Sequence, residues 1–131
     1  MAAVASGGSG TRDQERARHA YSCVQDVARG GPTQARDYLI AVADLGAHIL
    51  RSGLAAALAS LQREKDGRGG RVLLHLARAG LPGVAWNGAD NTDAFVEAVW
   101  QLDADAYMLA TREALRVAAW LRRAAQAYLE K

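Results

Sequence analysis

The sequence predicts an all-α protein, a compact single-domain bundle of about six helices. Half of its 131 residues are hydrophobic, and Ala, Leu and Arg dominate, while Ile, Phe and Thr are scarce. This balance favours helices over strands. Apolar residues also recur with a spacing near 3.6 along much of the chain, as they do on the buried face of a helix. We expect a disordered tail over residues 1–10 and one helical domain over residues 11–131.

The first helix is predicted to begin after Thr11 and to run to about Ala28. Gln14 follows Thr11 at the spacing of a capping box, in which each side chain accepts a hydrogen bond from the other residue's backbone. The Gly-Gly-Pro sequence at 30–32 then ends the helix. Its buried stripe is predicted to comprise Ala17, Ala20, Tyr21, Val24, Val27 and Ala28.

A corner is predicted at Ser52 and Gly53, in the middle of an otherwise strongly helical stretch. Ser is a favoured N-cap and Gly disrupts a helix interior. This pair therefore predicts that a second helix, starting at Thr33, ends near Arg51 and that a third helix packs back against it. The predicted buried face of the second helix is Leu39, Val42, Ala43, Gly46, Ile49 and Leu50; that of the third is Leu54, Ala57, Leu58 and Leu61.

Three further helices are predicted after a glycine-rich loop at residues 66–70. The fourth covers residues 71–80, the fifth follows a cap at Asn91 or Thr92, and the last opens at Asp103 or Asp105. Their predicted inward residues are Leu73, Leu76 and Ala77; Phe95, Val96, Val99 and Leu102; and Tyr107, Ala110, Ala114, Val117, Ala118, Leu121, Ala125 and Tyr128.

Charge is unevenly distributed along the chain. Residues 79–111 contain five acids and no Lys or Arg, so this segment carries −5 and the remainder +7, for a net charge of +2. An acidic end of this kind could meet the basic surface of another copy or subunit. Such a head-to-tail contact generates a ring or a filament.

Catalytic chemistry is not indicated by the spacing of reactive residues. His19, His48 and His75 lie far apart in the sequence and each is expected to be a partly buried or surface side chain. Cys23 is expected to be a small buried hydrophobe with no histidine or cation placed to lower its pKa. We therefore expect no enzyme activity, no metal and no cofactor.

A reducing compartment is expected from the same composition. Cys23 is the only cysteine, so no disulfide can form within the chain. The first ten residues lack the charged and apolar regions of a signal peptide. No apolar run approaches the ~20 residues that span a bilayer. The sequence therefore predicts a cytoplasmic protein without membrane contact.

Basic residues provide the candidate binding surfaces. One group surrounds the glycine-rich loop, where mobile cations could follow a phosphate backbone without reading bases. Another is an arginine row on the last helix, at Arg112, Arg116 and Arg123, beside Trp120, which either stacks on bases or packs in the core. Each patch is also compatible with an ordinary solvated helix face. The leading candidates for contact with nucleic acid are Arg12, Arg16, Arg63, Lys65, Arg68 and Arg71.

Three stretches resemble a known family. QERARHAYSCV at 14–24, ILRSGLAAALASL at 49–61 and TREALRVAAWLRRAAQAYL at 111–129 are similar to the small α-helical subunit of the Cmr complex, the fifth protein of the Cmr set in type III-B CRISPR systems. The resemblance covers nearly all of the chain after the tail.

This resemblance implies a non-catalytic subunit of an RNA-guided effector. Its partners would be the other Cmr subunits, including neighbouring copies of itself and the repeated backbone subunit. Together these would hold the guide RNA paired with target RNA. Other classes stay open on the sequence: a stand-alone helical regulator that binds nucleic acid, a helical adaptor, or a helical enzyme or cofactor binder. The last would need a pocket with convergent polar groups, which no spacing in the sequence indicates. The acids that open the last helix count against the regulator, because a recognition helix presents basic and polar residues at its start.

Overall fold

A long C-terminal helix organises the fold. The computed structural model describes residues 10–64, 66–86 and 91–130, and these residues form six helices and no strand. The prediction of an all-α fold is thereby confirmed, while the predicted tail falls almost entirely outside the described residues. The helices are α1 (Arg12–Ala28), α2 (Pro32–Ser52), α3 (Leu54–Arg63), α4 (Gly70–Arg78), α5 (Thr92–Trp100) and α6 (Ala104–Leu129).

The starts of α1, α5 and α6 have the predicted caps. The Thr11 hydroxyl accepts a hydrogen bond from the backbone of Gln14, and the Gln14 side chain accepts one from the backbone of Thr11. Asn91 and Asp103 cap α5 and α6 through their side-chain oxygens. Each cap satisfies a backbone donor that a helix start leaves without an internal partner.

The core lies where α6 packs along α1 and α2. α3 packs against both α2 and α5. Its largest fully buried side chains include Tyr38, Phe95, Leu54 and Leu121. The predicted inward residues of α3 are all buried, as are Leu73, Leu76 and Ala77 of α4. None of the helices in the described ranges is long and apolar enough to cross a membrane.

The corner between α2 and α3 is confirmed, but its cap differs from the prediction. Ser52 is the last residue of α2, and Gly53 serves as the boundary with φ 92° and ψ 160°. Glycine is the one residue that adopts this region without strain. No side chain of the corner caps α3. Instead the Tyr107 hydroxyl, from α6, accepts a hydrogen bond from the Ala55 backbone at 2.8 Å.

The predicted buried face of α2 is confirmed at Val42 and Ile49 and wrong at Ala43 and Leu50. The stripe that packs on the core is Tyr38, Val42, Leu45 and Ile49, whereas Ala43 and Leu50 are exposed. Both sides of this helix carry apolar residues. Burial of Tyr38 and Leu45 removes more apolar surface from water than burial of Ala43 and Gly46.

Smaller corrections concern the ends of α1 and α6. Ala28, predicted to be buried, is exposed in the last turn of α1. Tyr128 is 42% exposed, and its ring meets that of Tyr21 edge to face with centroids 5.3 Å apart. Because these positions lie at the margin of the bundle, no helix in the described ranges covers them.

Candidate nucleic-acid interface

The predicted basic residues fall into two separate groups. We call the group around the α3–α4 loop the loop patch; it comprises Arg63, Arg68 and Arg71, together with Lys65, which lies outside the described residues. The second group surrounds a carboxylate of α6 and we call it the Glu113 cluster: Arg12, Arg16, Arg116 and Glu113. The structure therefore divides the five predicted cations that it describes between two places.

Glu113 is the centre of its cluster and is buried, with 3% of its surface exposed. Arg16 Nη2 lies 3.2 Å from Glu113 Oε1 and Arg116 Nη1 lies 3.1 Å from Oε2. Arg12 Nη1 is 3.7 Å from Oε1. Three guanidinium groups thus share one carboxylate, so the cluster keeps a net charge of +2.

Arg16 does not present its guanidinium at the surface. The residue is 7% exposed, and besides Glu113 it donates to the backbone carbonyl of Ala79. A buried charge needs such partners because leaving water is costly. Arg16 therefore joins α1, α6 and the end of α4. By contrast, the side chains of Arg12 and Arg116 remain more than half exposed.

The loop patch is partly neutralised by neighbouring carboxylates. Arg68 Nε lies 3.7 Å from Asp37 Oδ1, and Arg71 Nη1 lies 3.3 Å from Asp26 Oδ2. With its amide oxygen turned toward Arg71, Gln34 also accepts hydrogen bonds from Arg71 Nε and Nη2, at 3.2 and 2.8 Å. Arg63 is exposed at the end of α3.

A cleft opens beside the loop patch, between the last turn of α1, the first turn of α2 and the start of α4. Acidic and basic residues line it in equal number: Asp26, Asp37 and Asp66 against Arg68, Arg71 and Arg78. Ion pairs between exposed side chains are worth about 0–1 kcal/mol. A phosphate group could therefore replace a carboxylate as the partner of Arg68 or Arg71 at little cost.

The arginine row of α6 lies next to the Glu113 cluster and shares Arg116 with it. Arg112 and Arg123 are also exposed on this helix. The Arg123 guanidinium sits 4.7 Å from the centre of the Trp120 ring, and Trp120 is half-buried against the core. Of the two interpretations of Trp120, the structure favours core packing with one ring face under an arginine.

A buried polar network joins α1, α2 and α4. His19 Nε2 lies 2.9 Å from the carbonyl oxygen of His75, and the Tyr38 hydroxyl lies 2.7 Å from His75 Nδ1. Burial lowers the pKa of His75 to about 3 and also lowers that of His19. The expectation that His75 is partly buried or at the surface is wrong, since it is 3% exposed. Sequence spacing could not show this, because the contacts join residues 37 and 56 positions apart.

Cys23 is buried as expected, and among the described residues Arg78 is the one cation that acts to lower its pKa. His19 Nε2 lies 3.6 Å from the thiol, one helical turn away on α1. The thiol stays protonated nonetheless, because burial raises the pKa of Cys23 to about 12. No group of three or more His, Cys, Asp or Glu side chains in the described ranges is arranged to hold a metal ion.

Comparison with known proteins shows which family this sequence matches. The family model for the CRISPR-associated protein Cas_Cmr5 matches residues 12–128. The chain belongs to the Cmr5 family. The predicted resemblance is thereby confirmed, and membership makes the chain a small subunit of the Cmr complex of type III-B CRISPR systems. Its partners therefore include other Cmr subunits.

A solved structure of the Cmr5 family has the same fold. The crystal structure of a CRISPR-associated Cmr5 family protein from Thermus thermophilus superposes with a TM-score of 0.75 at 27% sequence identity. The match covers 90% of this chain and 96% of that one. No curated protein matches the chain closely.

Proposed function

We propose that this Cmr5 family member is a non-catalytic, cytoplasmic subunit that stacks beside copies of itself and the backbone subunit and helps to hold guide and target RNA. The observation that carries the proposal is the family match over residues 12–128. The state of the reactive side chains supports a non-catalytic role. Cys23 is held as a thiol, and His75 is enclosed and neutral at ordinary pH.

The RNA contacts would be made by two basic surfaces. One is the loop patch, where Arg63, Arg68 and Arg71 lie on or near an exposed loop; Lys65 belongs to it by sequence position. The other is the exposed side of the Glu113 cluster, where Arg12 stands beside the arginine row of α6. Contacts of this kind bind phosphate through charge and are indifferent to sequence.

Arg16 has a positioning role in this proposal instead of a direct RNA contact. Its buried pair with Glu113 fixes the carboxylate that in turn holds Arg12 and Arg116. Loss of Arg16 would therefore alter the geometry of the exposed arginines without removing a phosphate contact.

The proposed assembly is tested by purification of the tagged chain from its native host. We expect the other Cmr subunits and a guide RNA to co-purify in fixed proportion. Recovery of the chain alone, or with nucleic acid but no Cmr subunit, would contradict the proposal and favour a stand-alone regulator. Treatment of the eluate with ribonuclease separates protein-mediated association from association through RNA.

A further inference from the structure

α2 carries a second apolar stripe that faces away from the core. Ile40 is 44% exposed and Leu50 is 75% exposed. Ala43 and Ala47 lie between them at helical spacing and are exposed as well. Isolated surface apolar residues are common, but a row of them on one helix face indicates a contact surface.

Three residues of this stripe, Ala43, Ala47 and Leu50, line a groove between α2 and α6. Leu50 of α2 and Leu115 of α6 line the groove, as do Arg122 and Arg123 of α6. Small residues make up much of its lining: Ala43, Gly46, Ala47, Ala118 and Ala119. None of the residues that line the groove is acidic. The groove is therefore an apolar surface with a positively charged rim.

The junction between α5 and α6 has the complementary character. Trp100, Met108 and Leu109 are 51%, 65% and 46% exposed, and the exposed Asp103 and Asp105 lie between them in the sequence. The sequence from 79 to 111 contains no Lys or Arg. The junction therefore presents apolar side chains beside two carboxylates, and the first cation along α6 is Arg112, one turn beyond Met108.

The groove and the junction of one chain cannot contact each other. Both lie on α6, and Asp105 and Arg122 are 17 residues apart in the same helix, a separation of roughly 25 Å along a helix axis. A second copy has no such restriction, because its junction can approach the groove from outside.

We propose that the α2–α6 groove binds the α5–α6 junction of a second copy of this chain. The inference rests on the proposed function, in which copies stack, and it names the two surfaces through which they do so. The contact joins two different faces, so a free groove remains at one end of the row and a free junction at the other, and the row can extend. Opposite charges orient the approach, and the apolar residues are withdrawn from water.

The test uses the isolated chain in sedimentation equilibrium at low ionic strength. A groove variant carries Leu50→Asp and Arg122→Glu, and a junction variant carries Met108→Asp and Leu109→Asp, so that the two altered surfaces repel each other. All four side chains are exposed, so the fold should survive, which thermal unfolding verifies. Arg29→Glu, at an exposed arginine outside both surfaces, is the matched control.

We expect the mass of the wild type and of the control to rise with concentration and to fall back when salt is added. Each variant alone should remain a monomer. An equimolar mixture of the two variants should form a species of two chains and no larger, because one intact groove meets one intact junction. A monomeric wild type, or a mixture that does not associate, would overturn the proposal.

A second measurement separates this inference from Cmr membership. A photo-crosslinker placed at position 50 in the assembled complex should capture a second copy near position 108. Capture of a different Cmr subunit alone would reject the copy-to-copy contact while leaving membership intact. Absence of the chain from the complex would instead refute the proposed function.

Discussion

Arg16 and Glu113 form a buried ion pair that joins α1 to α6 across 97 positions of sequence, with Nη2 and Oε1 3.2 Å apart. Both residues are less than a tenth exposed, and the same carboxylate also holds Arg12 and Arg116. The pair therefore links the packing of the bundle to the geometry of an exposed basic surface.

Removal of the Glu113 charge should destabilise the folded protein. In Glu113→Gln, Arg16 stays buried without a counter-charge, so we expect the free energy of unfolding to fall by about 3 kcal/mol. Arg12→Met should change it by less than about 1 kcal/mol, because that arginine is largely exposed. Urea unfolding monitored by circular dichroism measures both. Equal losses in the two variants would show that the pair is not the dominant contact.

Acid should destabilise the protein through His75. Its pKa is about 3 when folded and near 6.5 when unfolded, so between these values the unfolded chain binds a proton that the folded chain does not. Stability is therefore unaffected by this group above pH 6.5 and falls as pH drops, by about 1.4 kcal/mol per pH unit. His19 adds a loss of the same sign.

Unfolding in urea at several pH values measures this effect. His75→Asn retains an oxygen near the position of Nδ1 but does not titrate, so its stability should vary less steeply between pH 6 and pH 4. The comparison uses slopes and is independent of the absolute stability of the variant. Parallel curves for wild type and variant would refute the role of His75.

The corner should depend on Gly53 and not on Ser52. Gly53→Ala places a side chain at φ 92°, a backbone region that costs of order 1–3 kcal/mol for other residues. The added Cβ itself meets only ordinary contact, 3.5 Å from the Tyr107 hydroxyl. Ser52→Ala at an exposed position should be near neutral. Thermal unfolding of the two variants distinguishes them, and an equal effect would contradict the assignment.

Tyr107 should act as the cap of α3 from a distant helix. Tyr107→Phe removes the hydroxyl that accepts from Ala55 and should lower stability by about 1 kcal/mol, the usual value of a lost cap. Hydrogen exchange should report faster exchange at the Ala55 amide while the centre of α6 is unchanged. An unaltered exchange rate at that amide would show that water replaces the hydroxyl without loss.

Local signals in the sequence sufficed for the helices. The Thr11 and Gln14 capping box, the Asp103 cap and the corner at Gly53 each depend on residues within four positions of one another. The inward residues of α3 could also be predicted, because that helix has its large apolar residues on one side.

Long-range pairing could not be predicted in this way. No residue near Arg16 in the sequence indicates that its guanidinium pairs with Glu113. The sequence therefore predicts an RNA contact for an arginine that is in fact buried. The buried side of α2 is also hard to predict. The helix has apolar residues on two sides, and periodicity does not indicate which side packs on the core. Leu50, predicted to be buried, is instead exposed and lines the groove proposed to bind a second copy.

The most direct test of the central claim is the salt dependence of target-RNA binding by the reconstituted Cmr complex. The variant reverses the charge of Arg63, Lys65, Arg68 and Arg71. The control reverses the charge of Arg51, an exposed arginine in the last turn of α2, whereas Asp37, the partner of Arg68, lies near the start of that helix. We expect weaker binding by the variant and a plot of log affinity against log salt that flattens by roughly 0.7–0.9 for each lost phosphate contact. Affinity and slope equal to those of the wild type, in a complex that retains the subunit, would contradict the assignment of RNA binding to the loop patch.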